Sequence, residues 1–338
     1  MIDKSKLICA TPFRYTDVFD DKQFLCCPGW LNVDVSEGKT IRENFNSKKS
    51  QNIRESILDG SYKYCDEKQC PHLSALTQDK FIDNRFIPKN HRTIKQFKLI
   101  SEIESVGFSF DRSCNLKCPS CRVDLINYLG KERKSVDIKL EELNNEISKT
   151  VKRMYITGTA DAFYSKSFRQ FLIDFEPSNY PKMQNIHIHT NGILWTEKLW
   201  NRMNGIHPFV KTCEISIDAA TKDTYENKVR LGGEWDILME RLDFIINIPT
   251  IYKYCFSFVC QDSNYKEMYE FYKLIKNLNW NSDKIFDINF NHMLNWGTFS
   301  EKKSPNGGTL AISRPPASLR GLYRPAPVSY THLRAHET

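Results

Sequence analysis

Three cysteines crowd one short loop in the stretch FSFDRSCNLKCPSCRVD (108–124): Cys114, Cys118 and Cys121, a CxxxCxxC spacing directly after an apolar run. Thiolates are the softest metal ligands a chain owns, and three from one loop can converge on a single centre. A structural zinc site closes with four protein ligands, so these three fall one short unless a remote residue joins them. A 4Fe-4S cluster also offers four irons, and three cysteines leave one of them open to an outside ligand. A second group lies upstream, with Cys26 and Cys27 in FLCCPGWLNV (24–33) and Cys65 and Cys70 in SILDGSYKYCDEKQCPHL (56–73). This Gly- and aromatic-rich segment is expected to hold little regular structure and to need a metal staple. Either an auxiliary cluster or a structural zinc would serve, and His72 is near enough in sequence to replace one thiol. Adjacent Cys26 and Cys27 would strain if both bound one cluster, which leaves a three-cysteine site with an exposed iron open as well. Cys9, Cys213, Cys255 and Cys260 stand singly or on predicted strands and read as small buried hydrophobes.

The elements that must position these groups alternate. Short β-rich runs occupy 103–110, 151–158, 185–192, 211–219, 254–261 and 284–292. Helical segments start between them at Lys139, Lys166, Thr196, Glu234 and Tyr265. Repeated βα units predict an α/β fold with a parallel sheet wrapped by helices. Six strands in about 190 residues suit a partial (β/α)6 barrel rather than a closed eight-stranded one, which takes about 250. Ligands of such folds gather at the carboxyl ends of the strands, and the CxxxCxxC loop follows the first of them. His187 and His189 alternate on the third strand and so share a face, while His292 and Trp296 fall at the expected mouth.

Composition bounds the rest. The 338 residues are 40% hydrophobic with eleven cysteines, and 48 basic against 41 acidic side chains give a formal +7 without a dense basic stripe. A nucleic-acid partner is not expected. No apolar run reaches the roughly 18 residues a membrane helix needs, and the N-terminus lacks a signal-peptide core, so a cytoplasmic protein without a membrane partner is expected. In a reducing compartment an excess of cysteine reads as metal binding or catalysis rather than disulfides. The last segment, rich in Pro, Gly and Arg, carries Arg314, Arg320, Arg324 and Arg334 against Glu337 and has no helical or strand period. Its ending VSYTHLRAHET resembles translated sequencing-adapter read-through. The expected layout is a Cys-rich N-terminal domain (1–98), a C-terminally truncated barrel core (99–304) and an unstructured, non-native tail (305–338).

With its CxxxCxxC loop at the end of a first strand, the chain resembles the radical S-adenosylmethionine (radical SAM) superfamily over residues 100 to 300 or so. The resemblance implies that Cys114, Cys118 and Cys121 bind a 4Fe-4S cluster whose fourth iron is chelated by SAM. Reductive cleavage of SAM would then yield a 5′-deoxyadenosyl radical that takes hydrogen from a substrate. TGTADAF looks like the glycine-rich turn that meets the methionine amino group, at Gly158, Thr159, Ala160 and Asp161, although Thr159 and Ala160 depart from the usual Gly-Gly-Glu form. HTNG would place Asn191 on the cofactor's polar groups, and ISIDAATKDTYENKVRLGG would place Ser216 and Asp218 toward its ribose and Arg230 on its carboxylate. Ser120 stands where many members carry an aromatic beside adenine. The N-terminal cysteines resemble SPASM or twitch domains, which hold an auxiliary 4Fe-4S cluster, although those more commonly follow the barrel. A peptide, sugar nucleotide or other small-molecule substrate would fit, with a flavodoxin or ferredoxin as reductant. The alternative from another class is a zinc-binding interaction protein without redox chemistry.

Overall fold

The computed structural model describes residues 2–77, 85–98, 102–157, 159–280, 284–292 and the backbone of 331–334. Gly158, Trp296 and the side chain of His292 lie outside the described residues, as does most of the C-terminal segment. The described chain is a mixed α/β protein whose strands are mostly parallel, and it divides into two compact units. No helix among the described residues is long and apolar enough to cross a membrane.

The first unit takes in Met1–Asp111, Gly130–Gly158 and Glu176–Asn185. Its strands are β1 (Leu7–Cys9), β2 (Tyr15–Phe19), β3 (Gln23–Phe24), β4 (Phe86–Pro88), β5 (Ser105–Ser109) and β6 (Arg153–Ile156). β1 pairs antiparallel with β4, and β2 pairs antiparallel with β3 and parallel with β5, which pairs parallel with β6. β5 is buried along its whole length, as a strand covered on both faces must be. Gly107 in its middle has no room for a side chain, because a Cβ would stand 2.5 Å from Asp17 Oδ1 and 2.6 Å from the Tyr15 hydroxyl.

The N-terminal hundred residues carry more regular structure than their composition suggested. Thr40 and Glu43 form a capping box that starts the helix Ile41–Phe45, and Ser47 caps Lys48–Asp59, which Gly60 ends in the left-handed conformation at φ 90°. Ile41, Phe45, Ile53 and Ile57 bury the apolar sides of the two helices, with the Arg54 guanidinium 4.2 Å over the Phe45 ring. The cost of ordering a polar segment is thus offset by caps and a small core. The N-terminus of Ile41–Phe45 also receives the carboxylates of Glu142 and Glu146, which accept from the Ile41 and Arg42 amides at 2.7 Å each.

Asp17 gives this unit a pH signature. Burial pushes its carboxyl up to about 6, against hydrogen bonds from the Ser109 and Tyr15 side chains. The native state therefore holds a proton that the unfolded chain releases near its ordinary value of 3.8. Stability contributed by this group is full below that value and is lost as pH rises toward 6. A shift of that size corresponds to about 3 kcal/mol. Urea denaturation across this window should show a decline in the parent protein that Asp17→Asn flattens. An unchanged slope in the variant would remove Asp17 as its source.

The second unit takes in Arg112–Leu129, Thr159–Phe175 and Ile186–Thr338. Its strands run in parallel as β7 (Asn185–Thr190), β8 (Val210–Ser216), β9 (Lys253–Cys260) and β10 (Ile285–His292), and β11 (Thr331–Arg334) pairs antiparallel with β10. Parallel neighbours need crossovers, and the helices Glu197–Trp200, Trp235–Ile245 and Met268–Lys276 fall where the apolar periods placed them. The rings of Phe258, Phe271 and Phe290 pack with centroids 5.0 to 6.3 Å apart, which fastens the last helix to the sheet. Burying each such ring contributes roughly 1.5–3 kcal/mol.

Candidate functional site

The cysteine loop belongs to the second unit and is tied down at several points. The Cys114 amide donates to Ile126 O at 2.9 Å, the Lys117 amide to Leu231 O at 2.9 Å, and the Asp161 amide to Ser113 O at 2.9 Å. Within it Cys114, Leu116 and Cys118 form a buried cluster against which Cys121 packs. None of the three is in a disulfide.

Each sulfur has a nitrogen donor. The Leu116 amide stands 3.4 Å and Asn191 Nδ2 3.8 Å from Cys114 Sγ, Arg230 Nη1 stands 3.5 Å from Cys118 Sγ, and Arg122 Nη2 stands 3.4 Å from Cys121 Sγ. Burial pushes the Cys114 thiol up to about 12, with the Asp161 carboxylate adding to the rise and Arg122 opposing it. Burial raises Cys118 as well, against the pull of Arg230. Thiols so placed keep their protons until a cation takes them, and two guanidinium groups wait to balance the thiolates.

Arg122 and Arg230 are therefore central to this site, and they are fixed in different ways. Arg122 Nη1 donates to Arg112 O at 2.7 Å and Nη2 to Thr159 O at 3.1 Å, which locks it to the loop and to the turn after β6. Arg230 Nη2 pairs with Asp218 Oδ2 at 2.8 Å, and Asp218 Oδ1 accepts the Val259 amide at 2.7 Å. Burial pushes the Asp218 carboxyl up, with Arg230 and the Val259 amide pulling it back down. Asp218 sits at φ 62°, a conformation few non-glycine residues adopt, and its carbonyl accepts from Asn264 Nδ2 at 2.8 Å. Arg230→Met should cost about 3–5 kcal/mol, because it strands the Asp218 carboxylate, and Asp218→Asn added to it should recover part of the loss. Urea denaturation of the metal-free protein measures both, and a single variant as stable as the parent would show that the pair is not structural.

The remaining residues singled out in the sequence are engaged inside the protein. Asp161 is buried, and its carboxylate accepts from the Phe163 and Tyr164 amides at 3.0 and 3.1 Å, from Thr190 Oγ1 at 2.7 Å and from the Asn191 amide at 2.9 Å. Asn191 Nδ2 also donates to Asn115 Oδ1 at 2.8 Å. Ser216 Oγ stands 2.8 Å from His189 Nε2, and His187 Nδ1 stands 2.7 Å from Thr212 Oγ1. The two histidines therefore share a face, and burial lowers His187 to about 4, which keeps its ring neutral. Arg122, Asn115 and Asn264 escaped the sequence reading. Arg122, directly after Cys121, was the one with a local signal.

The second cysteine group lies in the first unit. Cys26, Cys65 and Cys70 line one cavity, whereas Cys27 and His72 do not, the His72 ring packing edge-on to Trp30 at 5.4 Å. Among the described residues no three His, Cys, Asp or Glu side chains are grouped so as to hold one metal ion. A tetrahedral zinc needs its ligand atoms about 2.3 Å from a single point. A cluster instead takes each thiolate on a separate iron, so a looser set of thiols suits it.

No family model matches this chain. Over 98 residues it is 34% identical to 7-carboxy-7-deazaguanine synthase of Aquifex aeolicus, a match covering 28% of this chain and 40% of that protein. The chain thus spans less than half the length of this curated relative. Among solved structures, Streptococcus suis SuiB bound to its precursor peptide SuiA aligns at a TM-score of 0.38 and 16% identity, covering 67% of this chain and 49% of that one.

Proposed function

We propose that this chain is a radical SAM enzyme in which Cys114, Cys118 and Cys121 hold a 4Fe-4S cluster and leave its fourth iron to SAM. The reading is carried by one observation: three thiols of a single loop, two buried and the third packed against them, each met by an N–H donor, two of them from arginines. Similarity to 7-carboxy-7-deazaguanine synthase, a radical SAM enzyme, supports it. When bound, the cluster supplies the electron that splits the SAM sulfonium to methionine and a 5′-deoxyadenosyl radical. The chain's own residues do the rest. Leu116, fully buried between Cys114 and Cys118, keeps water from the thiolates. Arg122 and Arg230 balance their charge, and Asp161 ties the β6 turn to β7. Thr159, Ala160, Asn191, Ser216, Asp218 and Arg230, with Gly158, are the proposed SAM contacts.

The N-terminal cysteines are proposed to hold an auxiliary cluster. A peptide, sugar nucleotide or other small molecule is the proposed substrate class, and a flavodoxin or ferredoxin the electron donor. Anaerobically reconstituted protein given SAM and dithionite should release 5′-deoxyadenosine and methionine. Stoichiometric zinc without sulfide, and no nucleoside released, would replace this reading with the zinc-binding one.

A further inference from the structure

Cys9 was read from the sequence as an ordinary buried hydrophobe, yet the fold brings it into the cavity that Cys26, Cys65 and Cys70 line. Its remaining wall includes Trp30, Tyr62, Arg85 and Phe86. Four thiols from three separate segments thus face one space, and none is in a disulfide.

The surrounding bonds show how they are held there. Cys9 ends β1 and pairs with Phe86 of β4. Its amide donates to the Tyr62 hydroxyl at 3.1 Å, which in turn donates to Leu7 O at 2.9 Å. Tyr62 itself is buried at φ 51°, so this junction is maintained against a backbone preference. From Tyr62 the chain turns back, the Cys65 amide donating to Tyr62 O at 2.9 Å and the Cys70 amide to Asp66 O at 2.8 Å. The Asp66 amide donates to Trp30 O at 2.8 Å, which fastens this loop to the segment after Cys27.

The electrostatics agree with the geometry. Burial raises Cys9, Cys26, Cys65 and Cys70, and the thiols add to one another's rise, Cys9 and Cys70 acting on both Cys26 and Cys65. Arg85 pulls Cys9, Cys26 and Cys70 back down, as a cation beside thiolates does. Cys27 does not line the cavity; burial raises its thiol, and Asp17 and Cys70 add to the rise.

We propose that Cys9, Cys26, Cys65 and Cys70 together ligate one iron-sulfur cluster and that Cys27 is not a ligand. The inference rests on the auxiliary-cluster reading above and completes its ligand set. Four thiols on the walls of one cavity, rather than around one point, suit a cluster with a thiolate on each iron. With every iron bound by protein, none is open to SAM or substrate. The centre is then suited to electron transfer or to holding the N-terminal segment together.

The test removes the other cluster first. In a Cys114→Ala, Cys118→Ala, Cys121→Ala background, anaerobic reconstitution should leave about four iron and four sulfide per chain. Adding Cys9→Ala leaves three thiolates and one open iron, so the EPR spectrum of the reduced cluster should change with added cyanide, and Cys9→Ala together with Cys65→Ala should abolish the iron, whereas Cys27→Ala should alter neither. A Cys9→Ala spectrum that ignores cyanide, a spectrum or iron content altered by Cys27→Ala, or one zinc without sulfide would each overturn the proposal. A second measurement needs no ligand variant: the EPR spectrum of the reduced cluster in this background should not change when SAM is added, and a change would reveal an open iron. If the parent protein failed to cleave SAM while these counts held, the radical SAM reading would fall and the four-cysteine site would stand.

Discussion

Replacing any one of Cys114, Cys118 and Cys121 by alanine is expected to abolish 5′-deoxyadenosine release from SAM, down to the level of iron-free protein. Three thiolates are the fewest that hold a four-iron cluster while leaving one iron open, so the loss of one has no spare to cover it. The three positions should therefore be equivalent in effect despite their different surroundings. Each variant should also lose about four iron per chain and keep the remainder in the N-terminal site. Arg122→Met and Arg230→Met are expected to act more mildly, because they remove a donor to sulfur rather than a ligand. Chromatographic detection of the nucleoside, with iron and sulfide assays on the same samples, checks all of this. Nucleoside formed by Cys118→Ala at the parent rate would end the assignment of the loop as the SAM-cleaving centre.

Asp161→Ala should be among the most destabilising single changes in the second unit, at about 4 kcal/mol. The buried carboxylate accepts four hydrogen bonds, from Phe163, Tyr164, Thr190 and Asn191, and a hydrogen bond to a charged group contributes about 1.5–3 kcal/mol. Its removal leaves those donors buried without an acceptor. Because the Asp161 amide also holds Ser113 O, the damage should reach the cysteine loop and lower iron uptake. Asp161→Asn keeps one oxygen and should cost about half as much. Urea midpoints of the metal-free proteins separate this from a SAM contact. A variant of parental stability that binds SAM poorly would show that Asp161 serves the cofactor and not the fold.

The strands of the second unit were legible because their signals are local. Runs such as NIHIHT and KYCFSFVC are β-rich, and the helices between them repeat apolar residues at helical spacing. The helices Ile41–Phe45 and Lys48–Asp59 had local signals as well, a capping box and a serine cap. They were missed because glycines and aromatics around the cysteines suggested irregular chain.

By itself the sequence determined where thiols are dense, which of them sit in one loop, and that strands and helices alternate behind that loop. Cys114, Cys118 and Cys121 lie within eight residues, so no folding event is needed to make them neighbours. Only the tertiary structure decided which thiols line one cavity with Cys65 and Cys70. Cys9 and Tyr62 are 53 positions apart and meet through one hydrogen bond, and of adjacent Cys26 and Cys27 only Cys26 lines the cavity. The same holds for Arg230, which reaches Cys118 across 112 positions, and for Asp161, whose carboxylate meets Thr190 across 29. Periodicity and spacing are written along the chain. Contacts between distant segments depend on how strands register and loops close, and no local pattern records those.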